Sequence, residues 1–260
     1  MGWKLGAALA KAAEQTDGSL LGTFTGEDLV ETFAPYFMPD IIKDKQLDTE
    51  KLRTVLQELQ TIAAHCDMVE KYKKGERASN EWDLPSAMQA VLCQISGFND
   101  AMFDLAIINL VKGDYTSFEN AYIPTVEIGV NANTKQADLA KEFAAFVMSR
   151  EVQDGDFYDG FPVNKESLHM QVSLDRSDYA AYTTIEGADG QEIGLDIEPI
   201  KAADADKLEA LCDSLSKKTV KDAKVLEELK KSVPDYLLGR QSLDDTISKI
   251  QDGVKIYLAE

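Results

Sequence analysis

This 260-residue chain is poor in the residues that most often announce chemistry. It has three cysteines, two histidines and two tryptophans. Cys66, Cys93 and Cys212 lie far apart, an odd count without close spacing, which speaks against a disulfide framework and a zinc knuckle. Each reads as a small buried apolar group, with one disulfide plus a free thiol left open. His65 and His169 form no H-x-x-x-H pair. His65 falls at the end of a predicted helix, where a cation complements the dipole. No apolar run reaches the roughly 18–20 residues that span a bilayer. There is no G-x-x-x-x-G-K-[ST] phosphate loop, no G-x-S-x-G elbow and no G-x-G-x-x-G fingerprint. The sequence thus offers no metal ligand set, no cofactor motif and no catalytic residue, and the expectation is a protein that is not an enzyme.

Positive charge is also scarce. Lysine and arginine number 27 against 46 acidic residues, a formal charge of −19. A field of that sign repels nucleic acid and anionic lipid, so neither a nucleic-acid partner nor direct membrane insertion is expected. The acids are spread along the chain rather than massed in a tail, which reads as a solvated surface. Adjacent carboxylates such as Asp244-Asp245 and Glu227-Glu228 arise by chance at this density. A glycosidase needs two at defined separation, one with a raised pKa. The run from Asp154 to Gly160 has the outline of a calcium loop. Tyr158, Asp159 and Lys165 then stand where an oxygen ligand, a glycine and a glutamate are needed, so it reads as a turn.

What is present is helical patterning. The first twenty residues look helical, and Met1-Gly2-Trp3-Lys4-Leu5 opens a short alanine-rich stretch. Lys11 and Glu14 interrupt it, favouring an amphipathic helix over a signal peptide. Thr25 caps a second helix with Glu27 and Asp28 in its first turn, Leu29, Phe33 and Tyr36 as apolar positions and Pro39 at its end. Asp48 or Thr49 caps a third, in which Leu52, Val55, Leu56, Leu59, Ile62 and Ala63 recur at helical steps. Residues 71–79 read as a charged loop. Residues 84–95 read as a further helix with Gly97-Phe98-Asn99-Asp100 as its exit, and 102–111 as a buried helix or strand.

From Tyr122 the period becomes two, through Ile123, Val126, Ile128 and Val130, which predicts a strand. After a polar break at 131–134, a helix carries Leu139, Phe143, Phe146 and Val147 on one face. Residues 176–194 predict a loop or short hairpin. Three helices close the chain, the last beginning with a capping pattern at Ser242 and Asp245. Aromatics expected in polar loops are Trp82, Phe98, Tyr115, Phe118 and Phe161. Rings pack on sugar C–H faces while Asn and Asp take hydroxyls, and Phe98-Asn99-Asp100 and Trp82-Asp83 combine both. Each ring taken singly reads more readily as core.

Four pieces, in order, carry a family resemblance. Residues 122–134 are similar to a V-x-G-I-N-A-x-S/T strand. Residues 139–152 are similar to an A-x-x-F-x-x-F-x-x-S-x-E-x-Q helix. The third piece is Gly160-Phe161-Pro162-Val163-Asn164-Lys165, and the fourth is the tail from Tyr236-Leu237-Leu238-Gly239-Arg240 to Glu260. Together they resemble the extracellular solute-binding proteins of bacterial ABC transporters, sugar-binding type, in their C-terminal portion. The resemblance implies a helix-rich α/β fold, periplasmic-binding-protein-like, with hinged lobes about a ligand cleft. Residues 1–121 and 200–260 would form the C-terminal lobe. Residues 122–199 would be crossing material normally packed on an N-terminal lobe, and this chain would be a truncated form. It further implies a carbohydrate or oligosaccharide ligand, ABC permease subunits as partners, no cofactor, and an extracytoplasmic location, lipid-anchored at full length, with no signal peptide here. The candidate ligand-binding residues are Trp82, Phe98, Asn99 and Phe161. The rival expectations are a carbohydrate-active hydrolase with an acidic pair and a helical protein-interaction module.

Overall fold

The computed structural model describes residues 20–73, 83–84, 95, 97–111, 115, 117–155, 160–174, 181–187, 191–198 and 200–260. In chain order, strand β1 (Thr23–Thr25) leads into helix α1 (Gly26–Ile41). The hairpin β2 (Ile42–Lys43) and β3 (Gln46–Leu47) precedes α2 (Thr49–Ala63) and β4 (Asp67–Val69). Then come β5 (Asp83–Leu84), α3 (Phe98–Val111), β6 (Ala121–Tyr122), α4 (Ala137–Val147), α5 (Arg150–Gln153) and α6 (Lys165–Val172). Strands β7 (Ala181–Gly187) and β8 (Glu192–Ile197), helix α7 (Ala202–Ser214), strand β9 (Lys217–Lys218) and helices α8 (Ala223–Leu237) and α9 (Leu243–Ala259) complete the described fold. The described strands make four small sheets: β1 parallel to β4, β2 antiparallel to β3, β6 parallel to β9, and β5-β7-β8. No described helix is long and apolar enough to cross a membrane.

The main core lies among α1, α2, α8 and α9. Helix α1 begins where expected, with the Thr25 hydroxyl accepting from the Asp28 amide at 3.2 Å. It does not stop at Pro39 but runs on to Ile41. A proline at 39 removes the amide that would bond the Pro35 carbonyl. The Val220 amide donates to that carbonyl instead, at 3.0 Å, so the orphan is satisfied from a distant segment. The start of α1 meets α8 closely: a methyl group on Gly26 would lie 2.8 Å from Pro234 Cα, so only glycine fits. Tyr36, expected on the apolar face, is half-buried with its ring 4.9 Å from Phe118 in an edge contact.

Helix α2 follows its pattern closely. Asp48 accepts from the Lys51 amide at 2.9 Å, and Leu52, Val55, Leu56, Leu59, Ile62 and Ala63 are all buried. Between β2 and β3, Asp44 and Lys45 both take positive φ (49° and 61°), the conformation that a two-residue hairpin of this twist requires. Asp222 caps α8 through the amides of Lys224 and Val225, both 3.0 Å away, and its other oxygen accepts from the Tyr257 hydroxyl of α9 at 2.9 Å. Ser242 accepts from the Asp245 amide, as the capping pattern predicted.

A second, smaller core joins α3, α6 and α7 through Phe98, Ala101, Leu168, Val172, Ala205 and Leu208. Residues 102–111, open to either reading, are helical, and the helix already begins at Phe98. Phe98-Asn99-Asp100 is therefore a first turn and not an exit loop. The Ala101 amide closes that turn on the Gly97 carbonyl at 3.0 Å. The hairpin foreseen in 176–194 is β7-β8, and Leu195 packs with Ile107 of α3. The long strand expected from Tyr122 is reduced to two paired residues. Residues 123–130 join no ladder among the described residues, because the only strand beside β6 is the two-residue β9.

Candidate functional site

The resemblance points to the region from β6 to α6. Helix α4 has the expected stripe, yet none of its residues is buried. Leu139 is 61% exposed and Phe143 62%, and Phe146 and Met148 are also exposed. In the preceding stretch Val126 is 78% exposed, and Ile128 and Val130 stand out beside it. Isolated exposed hydrophobics need no explanation; here they recur on two consecutive segments.

These segments are held in place by polar contacts at the Gly160-Phe161-Pro162-Val163-Asn164 exit. Gln153 is buried and uses both ends of its amide: Nε2 donates to the Val147 carbonyl at 3.0 Å, and Oε1 accepts from the Val163 amide at 2.9 Å. Asn164 caps α6, accepting from the amides of Glu166 and Ser167 at 3.1 and 3.2 Å, and its Nδ2 reaches the Met148 carbonyl at 3.2 Å. The Ser167 hydroxyl donates to Asp154 at 2.6 Å, and Gln171 donates to the carbonyls of Asp154 and Gly155 at 3.2 and 3.1 Å. The Ser167 hydroxyl, and then Arg150, hold the Asp154 carboxyl below the usual carboxylate range. Gly160 sits at φ +118° against Thr125, whose Oγ1 would be 3.1 Å from an added methyl group. One hub therefore ties the ends of α4, α5 and α6, with Gly160 close to Thr125.

Beside the hub lies a shallow hollow of about 470 Å³, lined by Arg150, Lys165, Glu166, His169 and Met170. Its cations are matched by carboxylates. Arg150 pairs with Asp154 at 2.9 Å, Lys165 with Asp213 at 2.6 Å and His169 with Glu209 at 3.0 Å. The hydrogen bond to Glu209, followed by that carboxylate's charge, raises the His169 pKa above its ordinary value.

Of the four candidate ligand contacts, Trp82 lies outside the described residues. Phe98 and Phe161 are brought together, ring centroids 5.0 Å apart and planes at 87°. Phe98 is only 8% exposed and Phe161 half-buried, so they meet as an edge-to-face pair within the second core rather than as an open platform. Asn99, next to Phe98, is exposed on the first turn of α3. Sequence reasoning missed Gln153, Ser167 and Gln171 entirely. Asn164 carried a readable signal, a cap residue just ahead of Lys165-Glu166. A buried glutamine that bonds backbone on both sides leaves none.

The pairing of Glu227-Glu228 argues against that pair as a general acid and its partner. Glu227 is held down in pKa by Lys231 and then Lys224, and Glu228 by Lys224 and then Lys231. A general acid needs the opposite shift. Among the described residues no three His, Cys, Asp or Glu side chains converge as a metal site. The thiols of Cys66 and Cys212 are pushed up by burial to about 12 and about 11, which makes them poor nucleophiles at neutral pH. No family model matches the chain, and no curated protein matches it either.

Proposed function

We propose that the chain is principally one lobe of the solute-binding component of a bacterial ABC importer, and that its task is reversible recognition of a carbohydrate rather than catalysis. The observation that supports this reading is the outward apolar face of residues 126–146, held by the hub at Gly160 to Asn164. In the family that the chain resembles, this strand-and-helix unit packs against a second lobe, which accounts for a stripe without a covering layer. The sugar is then gripped between lobes, with Trp82 stacking, Asn99 taking hydroxyls and the Phe98–Phe161 pair supporting from the second core the turn that carries Asn99. ABC permease subunits are the proposed partners, on the extracytoplasmic side. Joining the chain to an amino-terminal lobe of the resembled family and titrating it with mono- and oligosaccharides tests this. Tryptophan fluorescence is expected to shift, and Trp82→Phe to remove the shift. A folded two-lobed protein that gives no fluorescence change and no heat across the panel overturns the proposal.

The same exposed face favours a second reading, a helical module that meets a protein partner. Exposed apolar residues on two consecutive segments, beside a hollow that is shallow and charge-matched, are what such a module presents.

A further inference from the structure

Helix α6 is held on three sides. Leu168 and Val172 enter the second core. Ser167 and Gln171, both buried, bond the carboxyl and backbone of Asp154 and the Gly155 carbonyl, so α6 anchors one end of the hub. The third side meets α7. There Lys165 pairs with Asp213 at 2.6 Å and His169 with Glu209 at 3.0 Å. On each helix the two positions are four apart, and the numbers run in opposite directions, so the pairs are successive rungs between antiparallel helices. From this arrangement we infer that proton uptake by His169 locks α6 onto α7, and that loss of the proton loosens the hub that α6 holds. The inference does not depend on carbohydrate binding.

Helix α6 has only eight residues. A helix that short does not persist alone in water, so its order comes from its attachments. Apolar packing and amide bonds stay the same between about pH 5 and 8, whereas an imidazole changes charge there. The chain has two histidines, and His65 follows α2, where its carbonyl accepts from Leu20 of the main core. His169 is thus the only histidine at this seam.

Its surroundings give the charge its effect. On α7, Glu209 accepts the bond and Asp206 adds its field. On α6 and at the start of α5, Lys165, Glu166 and Arg150 line the hollow with it. Arg150 is engaged with Asp154 and Glu166, at 2.9 and 3.5 Å. Lys207 of α7 holds its ammonium 3.9 Å from the centre of the Tyr115 ring. Helix α3, which completes this core, brings only acids, Asp100 and Asp104. Deprotonation therefore removes the cation of one rung and leaves the Lys165–Asp213 rung alone. The bond to Glu209, and then its charge, raise the His169 pKa, so the rung is complete below the ordinary histidine value and fades as pH climbs through the raised one. Both partners meet solvent, so the rung adds little to the whole fold. Local opening of α6, by contrast, answers to its own few attachments.

Hydrogen exchange of the full chain tests this, read by mass spectrometry at about pH 5.5 and 8.5 and corrected for intrinsic exchange rates. Protection of residues 165–172, and of 147–155 across the hub, is expected to fall roughly two- to fivefold from the lower pH to the higher. Protection of α2 is expected to stay constant. Glu209→Gln should show the looser α6 at both pH values, and His169→Lys, which keeps a cation on the rung, the firmer α6 at both. Far-UV circular dichroism separates a folding defect from a lost rung. Equal protection of α6 at the two pH values, a fall shared equally by α2, a pH dependence that survives Glu209→Gln, or a His169→Lys variant as loose as Glu209→Gln overturns the inference.

Discussion

Helix α2 buries Leu52, Leu56, Leu59 and Ile62 completely, while helix α4 buries none of its residues, although both carry apolar positions at helical steps. The difference lies in what surrounds them. Helix α2 faces α1, α8 and α9, whose stripes interlock with it, and a fully buried aliphatic or aromatic side chain there contributes roughly 1.5–3 kcal/mol. Among the described residues, helix α4 is tied at its end by backbone-directed bonds from Gln153 and Asn164, and of its stripe only Val147 is half-buried while Leu139, Phe143 and Phe146 stay exposed. An amphipathic pattern specifies a face that needs covering. Whether the cover comes from the same chain is decided elsewhere in the sequence.

The widest gap should appear between a residue of each region. Phe37→Ala, in a position with no exposure, is expected to cost about 3–5 kcal/mol through lost burial and the cavity left behind. Phe143→Ala, at a side chain 62% exposed, is expected to stay within about 0.5 kcal/mol. Urea unfolding with unchanged m-values measures both. A comparable loss at Phe143 breaks the contrast, since it would mean that α4 is covered within the chain.

A smaller effect is expected at the hub. Asn164→Ala removes the α6 cap and the tie to Met148, a loss of about 1–2 kcal/mol. Amide exchange should then accelerate across α4 to α6 while the amides of α1 and α2 keep their protection. Uniform acceleration through both regions would show that they unfold as one unit and sharpen the contrast into one of packing alone.

Much of the main core was legible in the sequence because its signals are local. Thr25, Asp48 and Ser242 sit where caps must sit, and the stripe of α2 repeats without interruption. Pro39 misled because its remedy is not local: the Val220 amide, 181 positions away (220 − 39), repairs the ladder at Pro35. The alternation from Tyr122 misled for a related reason. Period two reports which side chains share a face, whereas a strand exists only where a neighbour supplies the ladder, and β9 supplies two residues. Of the candidate site, the coming together of Phe98 and Phe161 could not be read from two residues 63 positions apart (161 − 98), and neither could the two-sided bonding of Gln153. The exit sequence itself was visible, and it is where the polar hub forms.

The smallest expected effect concerns how α6 is fastened to α7. His169 on α6 bonds Glu209 on α7, and that bond, more than the accompanying charge, raises the histidine pKa. A group whose pKa is raised by folding stabilises the native state fully at pH below its unfolded value, and that contribution fades as pH climbs through the raised one. The window therefore opens near the ordinary histidine value and closes above it. Both side chains meet solvent, so the consequence for global stability is slight, but the titration itself is visible. Proton NMR of the His169 ring should show a midpoint above the ordinary histidine value, and Glu209→Gln should return it there. Phe37 lies in the other core, away from this pair, so the cost of Phe37→Ala in urea unfolding should be the same on either side of the window. If His169 titrates normally in the parent chain, the α6–α7 contact is looser than its 3.0 Å bond implies, and the second core then resembles α4 more than α2.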